Sequence, residues 1–232
     1  MTLEAMTKAL SVACIALAAT LPQAPQAAST GKGGTGGRGD TAALSGNPWF
    51  PLDPGRLLIL EGVDDGQLDR LEVRVLAETR SVGGIVCRVV EETHLEDGEL
   101  VEITRCLYAI DPETLDVGFY GEEVDHYRDG VIVGHDGSWE AFLQGAQRGL
   151  AMPGEIKPGA RWYVAQVPGI TADRAEALSG NARVTTPAAR FTGCVTTEET
   201  SELEPDENTV KSYAPGVGVV QDGHLRLVAH RP

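Results

Sequence analysis

Five histidines, four cysteines and 34 acidic residues are the groups in this 232-residue chain with the most obvious chemistry. The histidines are His94, His126, His135, His224 and His230. Only His126 and His135 are brought together by a readable signal. The Asp129-Gly130 dipeptide between them predicts a two-residue hairpin turn. With that loop, His126 pairs with Val133 and Val124 with His135, so the imidazoles are diagonal on one face, roughly 7 Å apart at the backbone. Glu122 is two residues further along the same face. His126, His135 and Glu122 are therefore a candidate weak site for zinc or copper, and no other cofactor is expected. The competing reading is a pair of exposed polar histidines on an edge hairpin.

The cysteines other than Cys14 are Cys87, Cys106 and Cys194, and no C-x-x-C spacing joins them. That spacing argues against a thiolate zinc site. Cys87 and Cys194 hold equivalent places in an internal repeat, so an oxidising compartment predicts a disulfide between them and a free thiol at Cys106. A two-residue loop at 97–98 would set Cys106 diagonal to Cys87, an awkward separation for bridging. The alternative is that the cysteines stay free and act as small apolar residues. No G-x-S-x-G occurs, and Ser138 in Gly137-Ser-Trp-Glu140 has no identifiable partner. With 34 acids in the chain, choosing two as an acid–base pair carries no information.

The elements that must position these groups are strands. Asp-Gly occurs at Asp65-Gly66, Asp97-Gly98, Asp129-Gly130 and Asp222-Gly223, flanked by alternating apolar residues. A loop at 65–66 sets Leu60 opposite Leu71 and Leu58 opposite Val73 on one face, with Glu61 facing Arg70 on the other. Thr171–Leu178 reads as a short helix, with a strand over Ala175–Leu178 equally open. Pro54-Gly55 recurs as Pro158-Gly159, and Asp69-Arg-Leu-Glu72 as Asp173-Arg-Ala-Glu176, both at a shift of 104. Cys87-x-x-x-Glu-Glu-Thr93 recurs as Cys194-x-x-x-Glu-Glu-Thr200 at 107. Two β-meanders, at about 52–110 and 156–215, follow from this. Residues 111–151 read as an insertion with its own hairpin, and 216–229 as a final strand pair. The fold expected is all-β: a single curved antiparallel sheet or half-barrel over 45–232, with a sandwich of the two repeats as the alternative.

Nineteen Lys and Arg against 34 acids leave a net charge of −15, which excludes nucleic acid as a partner. Lys8 precedes an apolar run, Ala9–Leu21, and a small-residue exit to Ala28, the layout of a signal peptide and too short for a membrane span. Cys14 lacks the leucine expected at Ser11 for lipidation. Residues 29–44 form a glycine-rich tether, whose Arg38-Gly39-Asp40 follows from composition. An exported protein, periplasmic or extracellular, is expected.

Phe50-Pro-Leu-Asp-Pro-Gly55, Gly137-Ser-Trp-Glu-Ala141, Met152-Pro153, Phe191-Thr-Gly-Cys194 and Tyr213-Ala-Pro-Gly-Val-Gly218 carry a resemblance. They resemble a family of exported bacterial proteins that opens with an F-P-L-x-P-G box and closes with Y-A-P-G-V-G. Cys106-Leu107-Tyr108 departs from it, standing where relatives carry an acid and a tryptophan before the tyrosine. The resemblance implies, by analogy of fold, a sheet curled around an apolar hollow, as in periplasmic lipoprotein carriers. A binding or carrier module for a hydrophobic small molecule, lipid or acyl chain is the function expected. Small residues and only twelve aromatics leave a curled sheet little to fill its concave side. Trp139, Trp162 and Tyr163 are the candidate lining residues, with Glu140 orienting a polar head. An enzyme with a site near Trp139 and Glu140, and a purely structural module, are the alternatives.

Overall fold

The computed structural model describes residues 46–206 and 208–232, so the signal-like segment, Cys14 and the whole of the tether lie outside the described residues. Six strands run outward from the middle of the sheet: β1 (Leu57–Asp64), β2 (Gln67–Val82), β3 (Ile85–Glu96), β4 (Glu99–Ile110), β5 (Val117–Arg128) and β6 (Val131–Gly134). Two short strands, β7 (Trp139–Glu140) and β8 (Gly149–Met152), pair with β5. The chain then crosses to the far edge. It returns through β9 (Arg161–Val167), β10 (Thr171–Thr185), β11 (Arg190–Ser201), β12 (Asn208–Ala214), β13 (Gly218–Asp222) and β14 (Leu225–Arg231). The order is β6-β5-β4-β3-β2-β1-β14-β13-β12-β11-β10-β9, antiparallel throughout and not closed into a barrel.

The turns explain the meander. Asp65-Gly66, Asp97-Gly98 and Asp129-Gly130 each have positive φ at both residues, the backbone that two-residue I′ turns demand. The fourth loop differs from expectation by one residue: Asp222 pairs with Leu225, so the turn is Gly223-His224. The two Pro-Gly steps do the same job. Gly55 N donates to Val75 O at 2.9 Å and Gly159 N to Ala177 O at 2.7 Å, each launching a meander against its second strand. Thr171–Leu178 is strand, with Ala175 and Ala177 buried in alternation, and no helix occurs among the described residues.

The repeats belong to one continuous curved sheet, with β14 and β13 between them, instead of forming two separate stacked sheets. Curvature brings the two ends into contact: a Cβ added at Gly149 in β8 would stand 1.8 Å from Val164 O in β9. Register shifts supply the bend, between Val75 and Thr79, His94 and Leu95, Cys106 and Tyr108, and His126 and Tyr127. The outer face carries charged ladders such as Glu61–Arg70–Glu72. The inner face is apolar at the centre, where Leu60, Leu71, Leu225 and Leu227 are fully buried. Each such leucine contributes about 1.5–3 kcal/mol.

Candidate functional site

The concave face encloses a hollow of about 90 Å³. One wall is apolar: Leu58, Leu71, Val73, Val75 and Val90 project from β1, β2 and β3. One end is covered by Phe50-Pro51-Leu52, the segment entering β1, which meets the Tyr213–Gly218 turn. Arg56 Nη1 donates to Gly216 O at 2.8 Å, and Gly216 N to Pro48 O at 2.7 Å. Asn47 fixes the start of this cover, donating to Leu115 O and Pro153 O and accepting from the Trp49 and Phe50 amides. The Phe50–Leu52 segment and the Tyr213–Gly218 turn thus come together over the same hollow. A row of rings, Phe50, Tyr108, Phe119 and Trp139, continues from it with centroids 4.9–5.1 Å apart.

The opposite wall is charged. Lys211, on β12, is 6% exposed. Its Nζ lies 3.1 Å from Glu199 on β11 and 3.4 Å from Asp222 on β13. Glu92 faces them from β3; its carboxyl opens onto the hollow yet is shielded from bulk solvent by the surrounding strands. Burial pushes Glu92 up to about 7, against the pull of Lys211, with Asp222, Glu102 and Glu199 adding to the rise. Burial likewise raises Glu199 and Asp222 against Lys211. Burial lowers Lys211, but Asp222 and Glu199 more than offset it and hold the ammonium well above its ordinary value. One ammonium cannot satisfy three carboxyl groups, so Lys211 stays charged while each acid is short of a full counter-charge. Burial also raises Cys106 and Tyr108 well above their ordinary values, so both are neutral and positioned to hydrogen-bond.

Of the residues singled out from sequence, Trp139 and Trp162 point inward. Trp139 is buried and donates from Nε1 to Glu122 Oε1 at 2.7 Å. It also borders a second, more open recess of about 290 Å³ with Glu140 and Ser138. Glu140 is exposed at the rim of that recess and does not reach the hollow. Trp162 packs against the core, opposite Ala175, which is in turn opposite Glu199; its Nε1 is buried with no hydrogen-bond partner. Tyr163 is on the outer face: it is exposed, donates to Glu202 at 3.1 Å and lies under the Arg174 guanidinium. It is not a lining residue.

The candidate metal set is not assembled. The bulge between His126 and Tyr127 puts His126 opposite Gly134 instead of Val133. His126 Nδ1 turns to Glu102 at 3.3 Å and Nε2 to Asp136 O at 3.0 Å. His135 turns to Asp125 at 2.8 Å, while Glu122 is held inside by Trp139. The expected disulfide is also absent. Cys87, Cys106 and Cys194 are all buried free thiols, and Cys87 and Cys194 belong to different core clusters. Equivalent places in two repeats of one sheet, with β14 and β13 between them, separate the two residues instead of pairing them. Cys106 is opposite Val90, so it faces the hollow, whereas Cys87 is on the other side of β3. Burial drives the Cys87 thiol up to about 12.

Sequence reasoning passed over Lys211, Glu92, Glu199 and Asp222. A signal existed for one of them: Glu92 stands opposite Val73, on the same stripe as Leu71 and Val75, so an acid sits on an apolar face.

The chain matches no family model and no curated protein. A solved structure of a lipoprotein candidate from Parabacteroides distasonis is similar at 15% identity and a TM-score of 0.39, over 80% of this chain and 99% of that one. No helix among the described residues is long and apolar enough to cross a membrane.

Proposed function

We propose that the protein is an exported binding module that takes a hydrophobic small molecule, lipid or acyl chain with an amine or hydroxyl head into the hollow of its sheet. The observation that carries this reading is the division of the hollow into an aliphatic wall and an acid-rich wall. Glu92, Glu102, Glu122, Glu199 and Asp222 face it, against two cationic side chains, Lys211 and Arg56. An aliphatic body gains by leaving water at about 25 cal/mol per Å². A free carboxylate head would add a further negative charge to a site already rich in acids; a hydrogen-bond donor or cation complements it. The hollow is smaller than the few hundred Å³ of a usual ligand site, so entry requires the sheet to open. The contact between β8 and β9 is where it opens most readily, because β8 is paired with β5 and β9 with β10 but not with each other. Export is supported by the apolar run after Lys8.

The test is displacement of an environment-sensitive dye by an alkylamine, an alkanol and a fatty acid of equal chain length. The amine and the alkanol are expected to displace the dye better than the acid. Preferential displacement by the fatty acid would reject the head-group assignment. A folded protein that binds neither the dye nor any of the three compounds would reject the binding role.

A further inference from the structure

A second cluster, independent of the hollow's ligand, lies where β2 and β3 approach the 97–98 turn. Asp69 is directly opposite Glu96, and Leu71 is opposite His94, so Asp69, His94 and Glu96 share one face of the sheet. The turn is clamped to β2, with Asp97 N donating to Leu68 O at 2.8 Å and Leu68 N to Asp97 Oδ1 at 2.9 Å. The strand ends that carry the three groups are therefore fixed in place.

We propose that Asp69, His94 and Glu96 bind a divalent transition-metal ion of the zinc class. One ligand atom from each lies within 4.8 Å of the other two. Around a tetrahedral zinc with bonds of about 2.1 Å the ligand atoms stand roughly 3.4 Å apart, a gap that small side-chain rotations close. The independent observation is His94 itself. It is 7% exposed, and its Nε2 is buried with no hydrogen-bond partner. A buried imidazole nitrogen left without a partner costs free energy that a bound metal ion would offset.

The two carboxylates face each other directly across a strand pair, an arrangement that disfavours like charges. Neither has a Lys or Arg partner among the described residues. Instead each is oriented by a neutral or switchable donor. His224 Nε2 donates to Asp69 Oδ2 at 2.9 Å, and Gln67 Nε2 to Glu96 Oε2 at 3.2 Å. Supporting hydrogen bonds of this kind hold metal-binding carboxylates in position. One imidazole and two carboxylates suit zinc better than calcium or magnesium, which prefer all-oxygen surroundings. Three protein ligands leave at least one position for solvent, and the half-buried Glu96 gives the ion a way in.

The experiment is zinc titration by calorimetry on the full chain after chelation, with Co²⁺ as a spectroscopic stand-in. One zinc per chain is expected, with cobalt d–d absorption in the visible. His94→Gln and Glu96→Gln are each expected to weaken zinc binding by about 100-fold or more, and His224→Ala by about 10–100-fold. His126→Ala should bind as wild type does. Circular dichroism checks folding, and if one ligand variant does not fold the other gives the reading. No zinc uptake by the wild type at millimolar zinc, or wild-type affinity in a folded His94→Gln or Glu96→Gln protein, would overturn the proposal.

Discussion

Lys211 Nζ stands 3.1 Å from a carboxylate oxygen of Glu199 with both side chains buried. Asp222 closes on the same ammonium from the neighbouring strand at 3.4 Å. Removing the cation leaves buried carboxylates without their counter-charge, which is costlier than losing the pair as a whole. Lys211→Met is expected to destabilise the fold by about 3–5 kcal/mol at neutral pH, measured by urea unfolding. The loss should shrink in mildly acidic buffer, where the acids take up protons and need no partner. A loss independent of pH would mean that packing of the lysine stem, not its charge, is what matters.

Glu92 gives the fold its own pH dependence. Its folded pKa, raised mainly by burial to about 7, lies above the ordinary value of 4.5. Between those two values the folded state binds more protons than the unfolded state, so stability falls as pH rises through that window and levels off above it. At pH below both values the penalty is gone. Glu92→Gln should flatten this part of the stability curve, measured in the presence of a chelator. An unchanged slope in the variant would assign the effect to Glu199 and Asp222, which are raised in the same direction.

The hairpins were legible because turn chemistry and strand alternation act locally. Leu60 pairs with Leu71, Leu58 with Val73 and Glu61 with Arg70, as the Asp65-Gly66 turn alone requires. Bulges were not legible, because nothing local in the sequence marks where a strand takes up an extra residue. One bulge after His126 dispersed the candidate metal site, and another between Cys106 and Tyr108 alters the pairing with β5 beside the hollow. The charged wall of the hollow was hidden for a different reason. Lys211 meets Glu199 and Asp222 as neighbours on the inner face, but Glu92 reaches them only because the sheet curls. Curvature sums over all the strands and is written in no single segment.

Trp139 and Glu122 offer a measurement inside the buried interior. The indole N–H donates to Oε1 at 2.7 Å, and Glu122 is 2% exposed. Trp139→Phe keeps a ring edge-on to Phe119 but removes the donor. Leaving a buried acceptor oxygen without its donor costs about 1–3 kcal/mol, so a loss in that range is expected in thermal or urea unfolding. A double-mutant cycle with Glu122→Gln should show coupling between the two positions. Additive losses would mean that the indole acts only by filling space.

Gly149 tests whether the seam between β8 and β9 is a separable contact. Its φ is not in the left-handed region, so alanine carries no backbone strain there, and the effect is purely steric. The added Cβ would fall 1.8 Å from Val164 O and 2.8 Å from Val164 C, backbone atoms that cannot rotate away. One strand must therefore shift. On the other side β8 is held by its pairing with Val117, Gly118 and Phe119, whereas β9 is an edge strand whose only strand partner is β10, with one long backbone hydrogen bond from Gln147 N to Gln166 O at 3.5 Å besides. Gly149→Ala is expected to move β9, at a cost of about 1–3 kcal/mol as for other overpacked sites. Hydrogen exchange should accelerate along β9 and leave the β1–β2 hairpin unchanged, because the disturbance reaches the edge of the sheet and not its centre. Dye uptake into the hollow should quicken in the same variant if the seam is the way in. Uniformly faster exchange across all strands would show instead that the seam opens only when the whole sheet unfolds.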